Sequence, residues 1–125
     1  MRIALSLLLL VTVWGCESRA DWTLDDWKAH WAGEAEGGDE DAAYELAFFR
    51  FLDGEHEWAV AEFERLAETT DNAEVFVMLA YAYRDGKGVS VDYERSAYWL
   101  ERAAEAGDEG AARDLAAYRA DTVAP

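Results

Sequence analysis

Proline is almost missing from this chain of 125 residues. The single one, Pro125, is the last residue, so no ring breaks a helix in the interior. Cysteine is equally scarce. Cys16 stands alone, which excludes a disulfide within the chain and leaves the fold to side-chain packing. The two histidines, His30 and His56, fall in different predicted helices with no Cys or His at ligand spacing, so a zinc site has no donor set. Basic residues are few: 11 Lys and Arg face 27 Asp and Glu, a formal net charge of −16. That deficit excludes nucleic acid, whose phosphates need cationic neutralisation, and argues against electrostatic docking on anionic lipid. Runs of β-branched residues are absent beyond the first residues, which leaves little material for strands.

Catalytic arrangements are missing as well. Asp39-Glu40-Asp41 resembles the start of a calcium loop, but the Gly at the sixth place and the Glu at the twelfth are absent. Gly86-Lys87-Gly88 lacks the spacing of a phosphate loop. No hydroxyl or thiol is set beside a base as a nucleophile would need. These absences predict a chain that is not an enzyme and carries no cofactor.

Aromatic residues, by contrast, are plentiful: six Trp, six Tyr and five Phe. That is enough to build a core, so the high charge does not make this a disordered chain. The first residues read as a secretory leader, with Arg2, then an apolar run from Ile3 to Trp14, then Gly15-Cys16. The run is too short to span a bilayer, which takes about 20 residues. Val13-Trp14-Gly15-Cys16 resembles the bacterial lipobox. That resemblance implies a leader over 1–15, acylation of Cys16, and a lipid anchor in the bacterial cell envelope with the domain facing the periplasm. Glu17 in the following position points to the outer rather than the inner membrane. Residues 16–22 are then a tether.

Helical periodicity begins after the tether. Thr23 can cap a helix from Leu24, with Asp26 as capping-box partner and Trp22 stapled against Trp27. Leu24, Trp27 and Trp31 make one apolar stripe, and this Trp-rich segment, 23–37, reads as a helix covering one end of a stack. Three segments then align without gaps, opening at Gly38, Asp71 and Gly107. Each places a small or apolar residue four positions before a Leu-Ala pair, at Leu46, Leu79 and Leu115. Ala61, Phe63 and Ala67 match Ala97, Trp99 and Ala103 further on. Periods of this size belong to stacked helix hairpins. The spacing predicts helices over 24–35, 40–52, 56–69, 72–84, 92–106 and 109–120. The fold class is all-α: a short right-handed solenoid of antiparallel hairpins with about six helices. A degenerate unit covers 38–70, a well-formed unit 71–106 and a half unit 107–125.

Leu79 to Asp108 carries a family resemblance. Leu79-Ala80, Tyr83, Gly86, Gly88-Val89, Asp92, Ala97, Trp99, Ala103-Ala104 and Gly107-Asp108 stand at fixed spacing, and the segment resembles a complete Sel1-like repeat of the tetratricopeptide superfamily. Each residue also has a physical reading. Gly86 and Gly88 allow positive φ in the inter-helix loop. Asp92 caps the second helix. The alanines allow close helix approach, and Leu79, Tyr83 and Trp99 fill the space between. Gly107 fits a left-handed helix cap.

The resemblance implies a non-catalytic module that binds another protein through a peptide or a basic patch. By spacing, Phe48, Phe51, Tyr81 and Arg84 are candidate lining residues of a groove made by the first helix of each pair. The acidity points to a basic partner. An immunity or inhibitor protein blocking a basic enzyme in the periplasm is an alternative of the same kind. A β-lactamase-like cell-wall enzyme is a third reading, implied only by cysteine-rich Sel1-like proteins whose cysteines this chain lacks.

Overall fold

The computed structural model describes residues 19–123. The expected leader over 1–15 and Cys16 lie outside them. The first described residues, Arg19–Asp21, form a 3-10 turn where a plain tether was expected. Six helices follow: α1 (Leu24–Glu36), α2 (Glu40–Leu52), α3 (His56–Ala67), α4 (Ala73–Asp85), α5 (Tyr93–Glu105) and α6 (Glu109–Val123). Among the described residues there is no strand. The all-helical hairpin architecture expected from the periodicity is therefore present.

Short polar side chains start most of these helices. Thr23 Oγ1 accepts from the Asp26 amide at 3.3 Å and the Asp26 carboxylate accepts from the Thr23 amide at 2.8 Å, which completes the capping box. Trp22 meets Trp27 edge-on at 4.7 Å between centroids, stapling the entry. Asp39 caps α2, Asn72 caps α4 and Asp92 caps α5, each accepting from a backbone amide of the first turn at about 3 Å. Helix α3 alone of this group lacks a side-chain cap. It ends at Ala67 rather than 69, because the Thr69 and Thr70 amides both turn back to the Leu66 carbonyl. Helix α6 runs three residues beyond the expected 120.

Successive helices pack on one another, α1 on α2, α2 on α3 and so on to α6. The core lies between the hairpins. Phe63, Leu66, Phe76 and Leu79 are its largest fully buried side chains, each worth about 1.5–3 kcal/mol over its exposed state. Ala47, Ala59, Ala80 and Ala103 are sealed between them and let the helices close. Ala97, Ala104 and Trp99 are only partly buried against this core. Trp99 lies flat on Phe76 at 5.9 Å instead of filling the centre as the sequence reading expected.

Tyr83 is buried, and its hydroxyl ties three helices together. It donates to Glu64 on α3 and accepts from Arg95 on α5. Ser96 on α5 donates to the Ala80 carbonyl at 2.7 Å from a buried position. Gly86 ends α4 in the left-handed region, and Gly88 two residues on is also at positive φ, +76°. The Asp92 amide then returns to the Tyr83 carbonyl at 2.9 Å, closing the loop. No helix among the described residues is long and apolar enough to cross a membrane.

Candidate functional site

Side chains of the first helices of the units, α2, α4 and α6, reach one another across one face. The Tyr81 hydroxyl on α4 reaches Asp114 on α6 at 3.4 Å. Glu45 on α2 feels Glu74 on α4. Half-buried Tyr44, Phe48, Val77 and Met78 supply the apolar part of this face, packed on the core behind them.

The electrostatics of the face are one-sided. Burial pushes the Glu45 carboxyl above the usual carboxylate range, and the neighbouring Glu74 and Asp41 add to it. Tyr44 is pushed up to about 12 by burial, with Glu74 and Glu45 again contributing. Asp41, Glu45 and Glu74 form no ion pair among the described residues. Among the described residues no basic side chain pairs with them: Lys28 bridges Asp25 and Asp53, and Arg65 pairs with Glu62 on its own helix.

Between α4 and α6 the face opens into a cleft of about 290 Å³. Tyr81 and Arg84 form its α4 wall, Asp114, Ala117 and Tyr118 its α6 wall. Helix α5 contributes Tyr93, Ser96, Ala97 and Leu100. The repeat register explains why a cleft exists here. Shifted by 33 residues, Tyr81 and Arg84 correspond to Phe48 and Phe51. At that earlier position Phe51 turns inward, meeting His56 at 4.5 Å and Phe63 at 6.4 Å. Arg84 turns outward instead and donates from Nε and Nη2 to Asp85 at 2.9 and 3.0 Å. On α6, Ala117 stands in the column that Tyr81 holds on α4. A large ring is thus missing from each side of the space.

The four groove residues expected from spacing are therefore divided. Tyr81 and Arg84 line the cleft. Phe48 and Phe51 do not border it, and both pack against the core, because the first interface is filled by the rings themselves. Sequence reasoning missed Tyr93, Ser96, Asp114, Ala117 and Tyr118. The signal that could have found them is the change of residue size between equivalent columns of the three units.

The histidines are placed among aromatic rings. His30 stacks edge-on with Trp22 and Trp31, and His56 with Phe51. Among the described residues no group of three or more His, Cys, Asp and Glu side chains could hold a metal ion. The N-terminal tryptophans cover α2: Trp27 is parallel to Phe49 at 5.6 Å, and Lys28 pairs with Asp53 at the far end of that helix.

No curated protein and no solved structure matches this chain. Residues 77–108 match the family model described as Sel1 repeat. They span the second half of α4, the Gly86-Lys87-Gly88 loop and the whole of α5. Repeats of this family serve as scaffolds that bind other proteins. Residues 77–108 thus form a Sel1-like repeat within a stack of helix hairpins.

Proposed function

We propose that this chain is a non-catalytic binding module whose α2–α4–α6 face holds a basic segment of a partner protein. The observation that carries this reading is the unneutralised cluster of Asp41, Glu45 and Glu74 set beside half-buried Tyr44 and Phe48. A carboxyl raised by burial and by like-charged neighbours is one that a cation would relieve. Aromatic rings alongside favour Lys and Arg further, through cation–π contact. The domain is carried on an acylated Cys16 in the bacterial envelope, facing the periplasm. The lipobox-like Val13-Trp14-Gly15-Cys16 and the short stretch from there to α1 support that placement.

Titration with a fluorescent peptide of about fifteen residues, rich in Lys and Arg, tests the face. Saturable binding that weakens with added salt is expected, and a further loss in an E45Q/E74Q variant. Equal affinity for an acidic peptide of the same length, or an unchanged affinity in E45Q/E74Q, overturns the reading. Mass spectrometry of the protein purified from envelopes tests the anchor: an N-terminus other than a modified Cys16 removes it.

A further inference from the structure

We propose that the cleft between α4, α5 and α6 is a pocket for one arginine or lysine side chain. This rests on the binding role assigned to the face and names the one place on it where a single residue of the partner is gripped. At about 290 Å³ the cleft lies at the lower end of the range for small-molecule sites, room for one long side chain but not for a helix.

Its chemistry selects a cation. Tyr81, Tyr93 and Tyr118 are among its lining residues. The only cation on its walls, Arg84, is already engaged. Its guanidinium makes two hydrogen bonds to Asp85 and lies 4.6 Å from the centre of the Tyr81 ring. Asp114, on the opposite wall, has no ion pair among the described residues and accepts only the long bond from Tyr81. Burial and then Asp114 push the Tyr81 hydroxyl up, against the opposing effect of Arg84. A carboxylate entering the cleft would meet Asp114 and find Arg84 taken. A cation would meet Asp114, without an ion pair among the described residues, beside the aromatic side chains of Tyr93 and Tyr118. This fold already stacks guanidinium groups in this way, Arg95 over Tyr83 at 5.2 Å and Arg102 over Phe76 at 4.4 Å.

The test uses the ¹⁵N-labelled full chain and three probes of one size: N-acetyl-arginine amide, N-acetyl-leucine amide and N-acetyl-glutamate amide. The arginine probe is expected to give saturable shifts at the Ser96, Ala97 and Ala117 amides. D114N, an exposed position, should weaken it roughly threefold to fivefold, in line with losing about 1 kcal/mol of exposed ion pairing. A117F, which fills the cleft, should abolish it, with folding verified by circular dichroism. E45Q/E74Q should leave it unchanged. Equal or larger shifts with the leucine or glutamate probe, or an arginine response untouched by D114N, overturn the proposal. The two readings fail separately. If the basic peptide binds D114N and A117F as well as the parent chain, the pocket is wrong and the face stands. If the arginine probe binds but the peptide does not, the face is wrong and the pocket stands.

Discussion

Replacing Gly88 with alanine should be among the most damaging single changes available in this fold, and the reason is a contact rather than a dihedral angle. Gly88 and Gly54 both sit at positive φ, +76° and +88°, so an L-residue at either place carries a similar penalty of about 1–2 kcal/mol. Beyond that they differ. A Cβ on Gly54 would meet nothing within 4 Å. A Cβ on Gly88 would come within 2.5 Å of the His56 carbonyl carbon and oxygen and 2.8 Å of the Glu57 amide nitrogen. Those are backbone atoms of the first turn of α3, so no side chain can rotate aside. Either the loop or the start of α3 must move, and overpacking of this kind costs about 1–3 kcal/mol more. G88A should therefore lose roughly 2–5 kcal/mol against roughly 1–2 for G54A. Urea unfolding, followed by far-ultraviolet circular dichroism and by tryptophan fluorescence, measures both. Trp58 lines the same cleft as Gly54 and Gly88 and contributes to that fluorescence. Losses equal to within about 0.5 kcal/mol, the usual scatter between independent sites, would refute the argument.

Three further outcomes follow from the same geometry. G33A should raise stability by about 0.5–1 kcal/mol, because Gly33 is inside α1 with open space around its Cα; the urea midpoint reads it. Y83F removes the hydroxyl that joins Glu64 and Arg95 across three helices and should cost about 1–2 kcal/mol; an unchanged midpoint would show that the bridge contributes nothing. The Tyr44 phenol sits at about 12 in the folded chain against 10.0 for a free tyrosine, so its protonated form favours folding. That contribution is complete below pH 10 and is lost as the pH climbs through 12. Y44F should flatten this part of the stability–pH curve, and a curve identical to that of the parent chain would contradict it.

The helices were legible because their signals are local. Thr23 with Asp26, Asp39, Asn72 and Asp92 each mark a start within a turn of the observed one, and the capping bonds are made as the residue types require. The role of Gly88 was only half legible. Its positive φ follows from the loop motif, whereas its contact with His56 depends on how one hairpin seats on the next, which no short window of sequence contains. Trp99 shows the same limit. Its periodic match to Phe63 predicts a core position, yet Phe63 is sealed and Trp99 is only partly buried. Phe63 is packed among Tyr44 and Phe51 of the neighbouring helix, whereas Trp99 lies against Phe76 and beside Tyr98.

The cleft was least legible, and for a related reason. Periodicity assigns a residue to a column and a column to a face, but the space left at that face is set by pairs of columns on neighbouring helices. Phe51 and Arg84 share a column, yet one closes the first interface and the other, drawn out by Asp85, opens the second. Ala117 in the column of Tyr81 then decides that nothing from α6 fills the gap. The residues that carry the family resemblance are not the ones that line the cleft. Of the motif, only Ala97 reaches it; Tyr81, Arg84, Tyr93, Asp114 and Tyr118 stand at positions the motif leaves free. In a solenoid this division is physically natural. Motif positions are held constant by hairpin packing, so specificity can vary only where packing makes no demand. The residues that distinguish one partner from another must then be sought between the motif residues, in columns where one repeat places a large ring and the next does not.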